Sequence, residues 1–189
     1  MPSTLTPLLP SSATRRLAWA VCGATAVLTL ATLTGCGSPG GTAALKATAR
    51  LEPTRGNKVM GVVTFLQEGD RVYLQATVSG LKPGQAHGFH LHEVGDCSSG
   101  DGMSTGGHFN PLQSAHGPQD SEHHAGDLPS LQADASGMAD VKFRVKGLTV
   151  APGPSSVLGR GLIVHAEPDD YVTQPTGNSG ARVACGVVN

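Results

Sequence analysis

Acidic residues are missing from the first 35 positions, and aromatic residues are scarce throughout, at 4% of the chain. Beside Gly 26 and Pro 13, so few aromatics point to many turns, while 39% hydrophobic content excludes a disordered chain. At 189 residues there is length for one well-buried domain and too little for two separate cores.

Where acids are missing, Arg15 and Arg16 precede an apolar run from Leu17 to Leu33, the pattern of an export signal. The run is barely long enough for a retained membrane helix. Leu33-Thr34-Gly35-Cys36 resembles the lipobox of bacterial lipoproteins, in which the signal is cut before a cysteine whose thiol is acylated. The reading is a lipoprotein-type signal over residues 1–35, a lipidated Cys36 with a flexible tether over 36–41, and one domain over 42–189. The domain is thus expected to be exported and anchored to a membrane of the cell envelope, facing the periplasm or the cell surface. Cys22 leaves with the signal and Cys36 carries lipid. Cys97 and Cys185 then remain as a pair in an oxidising space, and a disulfide between them is the simplest outcome. Removing residues 1–35 takes two of 13 basic residues and none of 14 acidic ones, leaving a charge of about −3, which argues against nucleic acid as a partner.

Beyond the tether the apolar period is two. Leu45, Ala47, Ala49 and Leu51 alternate with Lys46, Thr48 and Arg50; Val72 to Val78 and Ala139 to Val145 repeat the pattern. These read as antiparallel strands with one wet face, separated by hairpin-like turns at Gln67–Asp70 and Asp134–Gly137. An all-β sandwich or barrel follows. Between His92 and Ala133 alternation gives way to a long loop rich in glycine, histidine and proline, read as functional because metal-ligand residue types gather there.

All eight histidines lie between positions 87 and 165. His90 and His92, two apart on a strand, share one face with their rings about 6–7 Å apart, close enough to share an ion. His87, Phe89 and Leu91 then face the core, His87 as a hydrogen-bonded structural residue. His108, His116, His124 and Asp127 offer three imidazoles and a carboxylate, a sufficient set for zinc. His123 adjoins His124, and only the spacing of three to Asp127 favours His124.

The segments His87–Glu93, Gly107–Pro111, His124–Leu128 and Gly177–Val187 together closely resemble the copper–zinc superoxide dismutase family, in the family's order, from about Thr42 to Asn189. The resemblance implies a Greek-key β-sandwich, or flattened barrel, with long metal-binding loops, acting on superoxide with copper and zinc. It makes His90, His92, His108 and His165 the copper ligands, and His108, His116, His124 and Asp127 the zinc ligands, with His108 bridging. It makes Asp169 the carboxylate that hydrogen-bonds a ligand of each metal, Arg182 the cation beside copper that meets the anion, and Cys97–Cys185 the disulfide. A non-catalytic metal carrier and a sandwich with decayed sites are the rivals, both disfavoured by the complete ligand set with Arg182 and Asp169. Two features depart from the eukaryotic pattern: no charged residue lies between Asp170 and Arg182, and Ser98 to Gly106 is inserted before His108, as in the bacterial branch. Subunit contacts are not carried over, so monomer and homodimer both stand.

Overall fold

The computed structural model describes residues 44–189; the predicted signal, Cys36 and the tether lie outside them. The described chain forms β1 (Lys46–Pro53), β2 (Met60–Glu68), β3 (Arg71–Ser79), β4 (Ala86–His87), β5 (Phe89–His92), β6 (Leu131–Gln132), β7 (Ala139–Val145), β8 (Gly161–His165) and β9 (Arg182–Val187), with one 3-10 turn at Met103–Thr105. No α-helix occurs among the described residues.

Seven strands make one antiparallel sheet in the order β5-β8-β9-β1-β2-β3-β7, and β4 pairs with β6 apart from it. β1 joins two halves of this curled sheet: Lys46–Leu51 pairs with β2, and Glu52–Pro53 pairs with β9. From β3 the chain crosses to β5 at the far edge, returns to β7 beside β3, and crosses again to β8. These long connections between halves are of Greek-key type.

The strands predicted from alternation form because one face can be buried while the other stays wet. In β3, Val72, Leu74, Ala76 and Val78 are buried while Arg71, Gln75 and Thr77 are exposed. They join Val63 and Phe65 of β2, Phe89 and Leu91 of β5, and Leu162 and Val164 of β8 in one hydrophobic cluster. Each such large side chain stabilises the fold by about 1.5–3 kcal/mol on burial.

β8 escaped the alternation reading for a physical reason. It is buried at every position, so no exposed residue marks an outer face; β5 is buried throughout as well and was legible only through its alternating histidines. Gly69 and Asp70 close a β2–β3 hairpin with Glu68 opposite Arg71, as expected. The Asp134–Gly137 turn instead joins β6 to β7, which pair with β4 and β3 and not with each other. The stretch from His92 to Ala133 is broken by the 3-10 turn and by β6.

Candidate metal centre

β5 sets the geometry. Phe89 and Leu91 enter the core, leaving His90 and His92 on the other face with ring centroids 6.4 Å apart. Along one side runs β8, where the register slips between Val164 and His165. There the His165 N–H donates to the Gly88 carbonyl at 2.8 Å. A bulge of this kind re-aims a side chain. Along the other side the long loop is stitched to β5. The Phe109 N–H donates to Leu91 O (2.8 Å), the Leu91 N–H to Gly126 O (2.9 Å), and the Gly126 N–H to Phe109 O (2.8 Å). The stitching places His108 opposite His92, and Asp127 opposite His90. Gly126 permits it, since a Cβ there would run into the Leu91 carbonyl.

Two sets of buried ligand atoms result, each within 4.8 Å of one another: His90, His92, His108 and His165, and His108, His116, His124 and Asp127. Their nitrogens test whether metal ions fit. His90 Nδ1, His92 Nε2, His108 Nε2, His116 Nδ1, His124 Nδ1 and His165 Nε2 are buried without a hydrogen-bond partner. Leaving one such atom unpaired costs about 1–3 kcal/mol, so six gathered together would be prohibitive unless something accepts their lone pairs.

The opposite nitrogens fix the rings. His90 Nε2 faces Asp169 Oδ2 at 2.6 Å, His92 Nδ1 faces Gly106 O at 2.9 Å, His165 Nδ1 faces Gly180 O at 3.2 Å, and His116 Nε2 faces Asp169 Oδ1 at 2.9 Å. Each carbonyl or carboxylate demands a proton from the ring and leaves the other nitrogen free to ligate. His108 alone belongs to both sets, with Nδ1 2.8 Å from Asp127 Oδ1 and Nε2 unpaired. The donors therefore fit two ions sharing one imidazole. Four imidazoles suit Cu(II), and three imidazoles with a carboxylate suit zinc.

In the first set, electrostatics agree with this chemistry. Burial is the main cause that lowers the pKa of His90 to about 4, of His165 to about 3 and of His92 to about 2, so all three are neutral at neutral pH and free to ligate. Burial also lowers His124. At His116 burial opposes charge, but the carboxylates of Asp127, 3.0 Å from Nδ1, and Asp169, 2.9 Å from Nε2, outweigh it and raise the pKa to about 9. Burial likewise opposes ionisation of Asp127 and Asp169, yet the surrounding histidines hold both well below the usual carboxylate range.

Asp169 spans the two sets, one oxygen to His90 and the other to His116. Arg182 and His165 line a cleft of about 390 Å³ with Met103, Thr176, Asn178 and Ser179. Cys97 and Cys185 form a disulfide with Cα atoms 5.9 Å apart. His87 is structural as expected: its Nδ1 pairs with His165 O at 2.8 Å, and its Nε2 accepts the Lys82 N–H at 3.3 Å. His123 turns to Ser121 O and joins neither set.

Sequence reasoning missed the supports of Arg182. Its Nη1 donates to Gly102 O (2.6 Å) and Thr105 Oγ1 (2.9 Å), and its Nη2 to Gly106 O (2.8 Å). Gly106 O thus holds both Arg182 and His92. The nearest signal was the glycine-rich insertion before His108, which marks a loop without naming its contacts.

Comparison with known proteins agrees with the geometry. A family model described as copper/zinc superoxide dismutase (SODC) matches residues 59–188. Superoxide dismutase (Cu-Zn) 3 of Arabidopsis thaliana is 41% identical over 140 residues, covering 70% of this chain and 84% of that protein. The crystal structure of a double mutant of a SOD-like protein from Bacillus subtilis superposes with a TM-score of 0.68 at 38% identity, covering 74% of this chain and 95% of the other. The clock protein EA4 gives a TM-score of 0.70 at 35% identity, covering 79% and 97%. Since the match takes in the strands that carry the histidines and the loops that orient them, the chain belongs to the copper/zinc superoxide dismutase family, oxidoreductases that use copper and zinc to disproportionate superoxide.

Proposed function

We propose that His90, His92, His108 and His165 hold copper, that His108, His116, His124 and Asp127 hold zinc, and that the domain removes superoxide in the cell envelope. The observation that carries the assignment is the set of six buried, unpaired ring nitrogens, divided between two sets that share His108. Copper held by the first set would supply the one-electron cycle by which one superoxide is oxidised to dioxygen and the next reduced to peroxide. His108 holds and moves a proton: its Nε2 takes one up from solvent and gives it to the nascent peroxide, while Nδ1 stays beside Asp127. The second proton of hydrogen peroxide comes from solvent. Arg182, fixed by three hydrogen bonds at the cleft, attracts the anion and orients it toward His165 and the open face of the first set. Asp169 keeps His90 and His116 in register with each other.

The assignment is tested by loading purified protein with copper and zinc and measuring metal content and superoxide consumption in two variants. Asp127→Asn should bind zinc at least about tenfold more weakly while keeping copper, and should lose thermal stability before it loses activity. His165→Ala should lose copper and activity while keeping zinc. Copper retained by His165→Ala, or zinc affinity unchanged in Asp127→Asn, overturns the division.

Envelope location is supported by the basic and apolar start, the lipobox-like Leu33–Cys36 and the Cys97–Cys185 disulfide, a bond that persists in oxidising compartments. Lipidated Cys36 would anchor the domain through acyl chains inserted in the membrane. Cys36→Ser should abolish lipid labelling and processing at that site, and a version starting after Cys36 should be soluble and active. Unchanged membrane attachment of an exported Cys36→Ser protein rules the anchor out. Monomer and homodimer both accommodate this site, because every ligand comes from one chain.

A further inference from the structure

The segment between Asp170 and Arg182 carries no charged side chain, so it has no charge with which to steer an anion. It is nevertheless heavily cross-linked. Asp170 Oδ1 accepts the N–H groups of Val172 (2.9 Å) and Thr173 (2.8 Å), and Oδ2 accepts the Thr173 hydroxyl (2.6 Å). The Gly177 N–H donates to Thr173 O (2.7 Å), and the Asp170 N–H to Gly177 O (2.9 Å), closing the loop on itself.

The closed loop bears on His116. Gln174 Oε1 accepts the His116 N–H at 2.8 Å, and Gln174 Nε2 donates to the His116 carbonyl at 2.9 Å. One amide thereby replaces the strand neighbour that His116 lacks: it lies outside every strand, and no backbone group among the described residues bonds its N–H or C=O. The Tyr171 ring lies within 8° of parallel to the imidazole, with centroids 6.4 Å apart. The Tyr171 hydroxyl accepts the Ser130 N–H at 3.1 Å, and the Tyr171 N–H donates to Asp169 Oδ1 at 2.7 Å, the oxygen that also faces His116 Nε2. Tyr171 adopts a left-handed φ of 56° to do this, a conformation costing a bulky residue about 1–3 kcal/mol unless its surroundings impose it. Gly177 completes the fit, since a Cβ there would collide with Asp169 Oδ1 and His116 Nε2.

We propose that this charge-free loop is a clamp on the zinc half of the site, with Gln174 the positioning residue that holds His116 where its Nδ1 can ligate. The proposal rests on the reading of His116 as a zinc ligand. Backbone and ring are held from separate sides, by Gln174 and by Asp169 with Tyr171. Losing the amide therefore leaves the ligand present but free to drift, which weakens the metal without removing a donor.

The test follows zinc transfer from the fully loaded protein to a chromogenic chelator, and the visible spectrum of protein with Co(II) in place of zinc. Gln174→Ala should release zinc on the order of tenfold more readily, with altered cobalt bands and unchanged copper content. Gln174→Glu, which keeps the acceptor and loses the donor, should fall between and serves if the alanine variant does not fold. Gln75→Ala, on the exposed face of β3, is the control expected to match the parent. Parental zinc release and cobalt bands in both Gln174 variants overturn the clamp. His116→Ala separates the premise from the proposal: if it too leaves zinc release unchanged, the ligand reading fails and the clamp falls with it.

Discussion

At the scale of single residues, Arg182 joins local charge to fixed geometry. Burial lowers its pKa, but a guanidinium stays charged, and three acceptors on Gly102, Thr105 and Gly106 leave it one orientation. Since Arg182 lines the same cleft as His165, its charge there is screened less than that of a residue a Debye length away. Arg182→Glu should lower kcat/KM roughly tenfold to a hundredfold, within what electrostatic steering supplies. Arg182→Ile should fall between the parent and the glutamate variant. Salt sharpens the test, because the parent should slow as ionic strength rises while Arg182→Glu slows less or accelerates. Equal rates and equal salt slopes at full copper occupancy would remove Arg182 from substrate guidance.

At the scale of elements, the disulfide connects two functions. Cys97 immediately precedes the inserted loop whose carbonyls hold Arg182, and Cys185 sits on β9, three residues beyond Arg182 itself. Closing 88 residues restricts the unfolded chain by about 4–5 kcal/mol in the chain-entropy model, an upper bound in practice. The Cys97→Ser, Cys185→Ser double variant should therefore unfold at lower denaturant concentration. Its kcat/KM should also fall by roughly twofold to tenfold, as the Gly102–Gly106 acceptors loosen around the guanidinium. Parental kcat/KM at full metal loading would show that the stitching of the loop to β5 holds Arg182 without the bridge.

At the scale of the whole molecule, the centre sets how stability follows pH once metals are removed. Folded pKa values of about 4 for His90, 3 for His165 and 2 for His92 lie below the ordinary 6.5, so the unfolded chain binds more protons as pH falls through 6.5. Stability should then drop by at least about 1.4 kcal/mol per pH unit below 6.5, the slope for a net difference of one proton. His116 has the opposite sign. With its folded pKa raised to about 9, its contribution is complete below 6.5 and is lost as pH rises through 9. Metal-free protein should be most stable near pH 6.5–7, as read from denaturant midpoints. A midpoint unchanged from pH 7 to 4.5 would mean that these imidazoles are not buried neutral in solution.

The sequence by itself determined whatever depends on local periodicity. Alternation marked β1, β3 and β7 because each has one wet face, and a spacing of two placed His90 and His92 on one side of β5. The histidine-rich loop and its motif order were enough to indicate the family. Tertiary structure decided what depends on distant contacts. β8 was hidden because both of its faces are buried. Which nitrogen of each ring stays free is set by Asp169, Gly106 and Gly180, partners up to 79 positions away. The supports of Arg182 and the grip of Gln174 on His116 span 76 to 80 and 58 positions. Such bonds leave no period in a sequence, because they exist only once the sheet has brought the loops together.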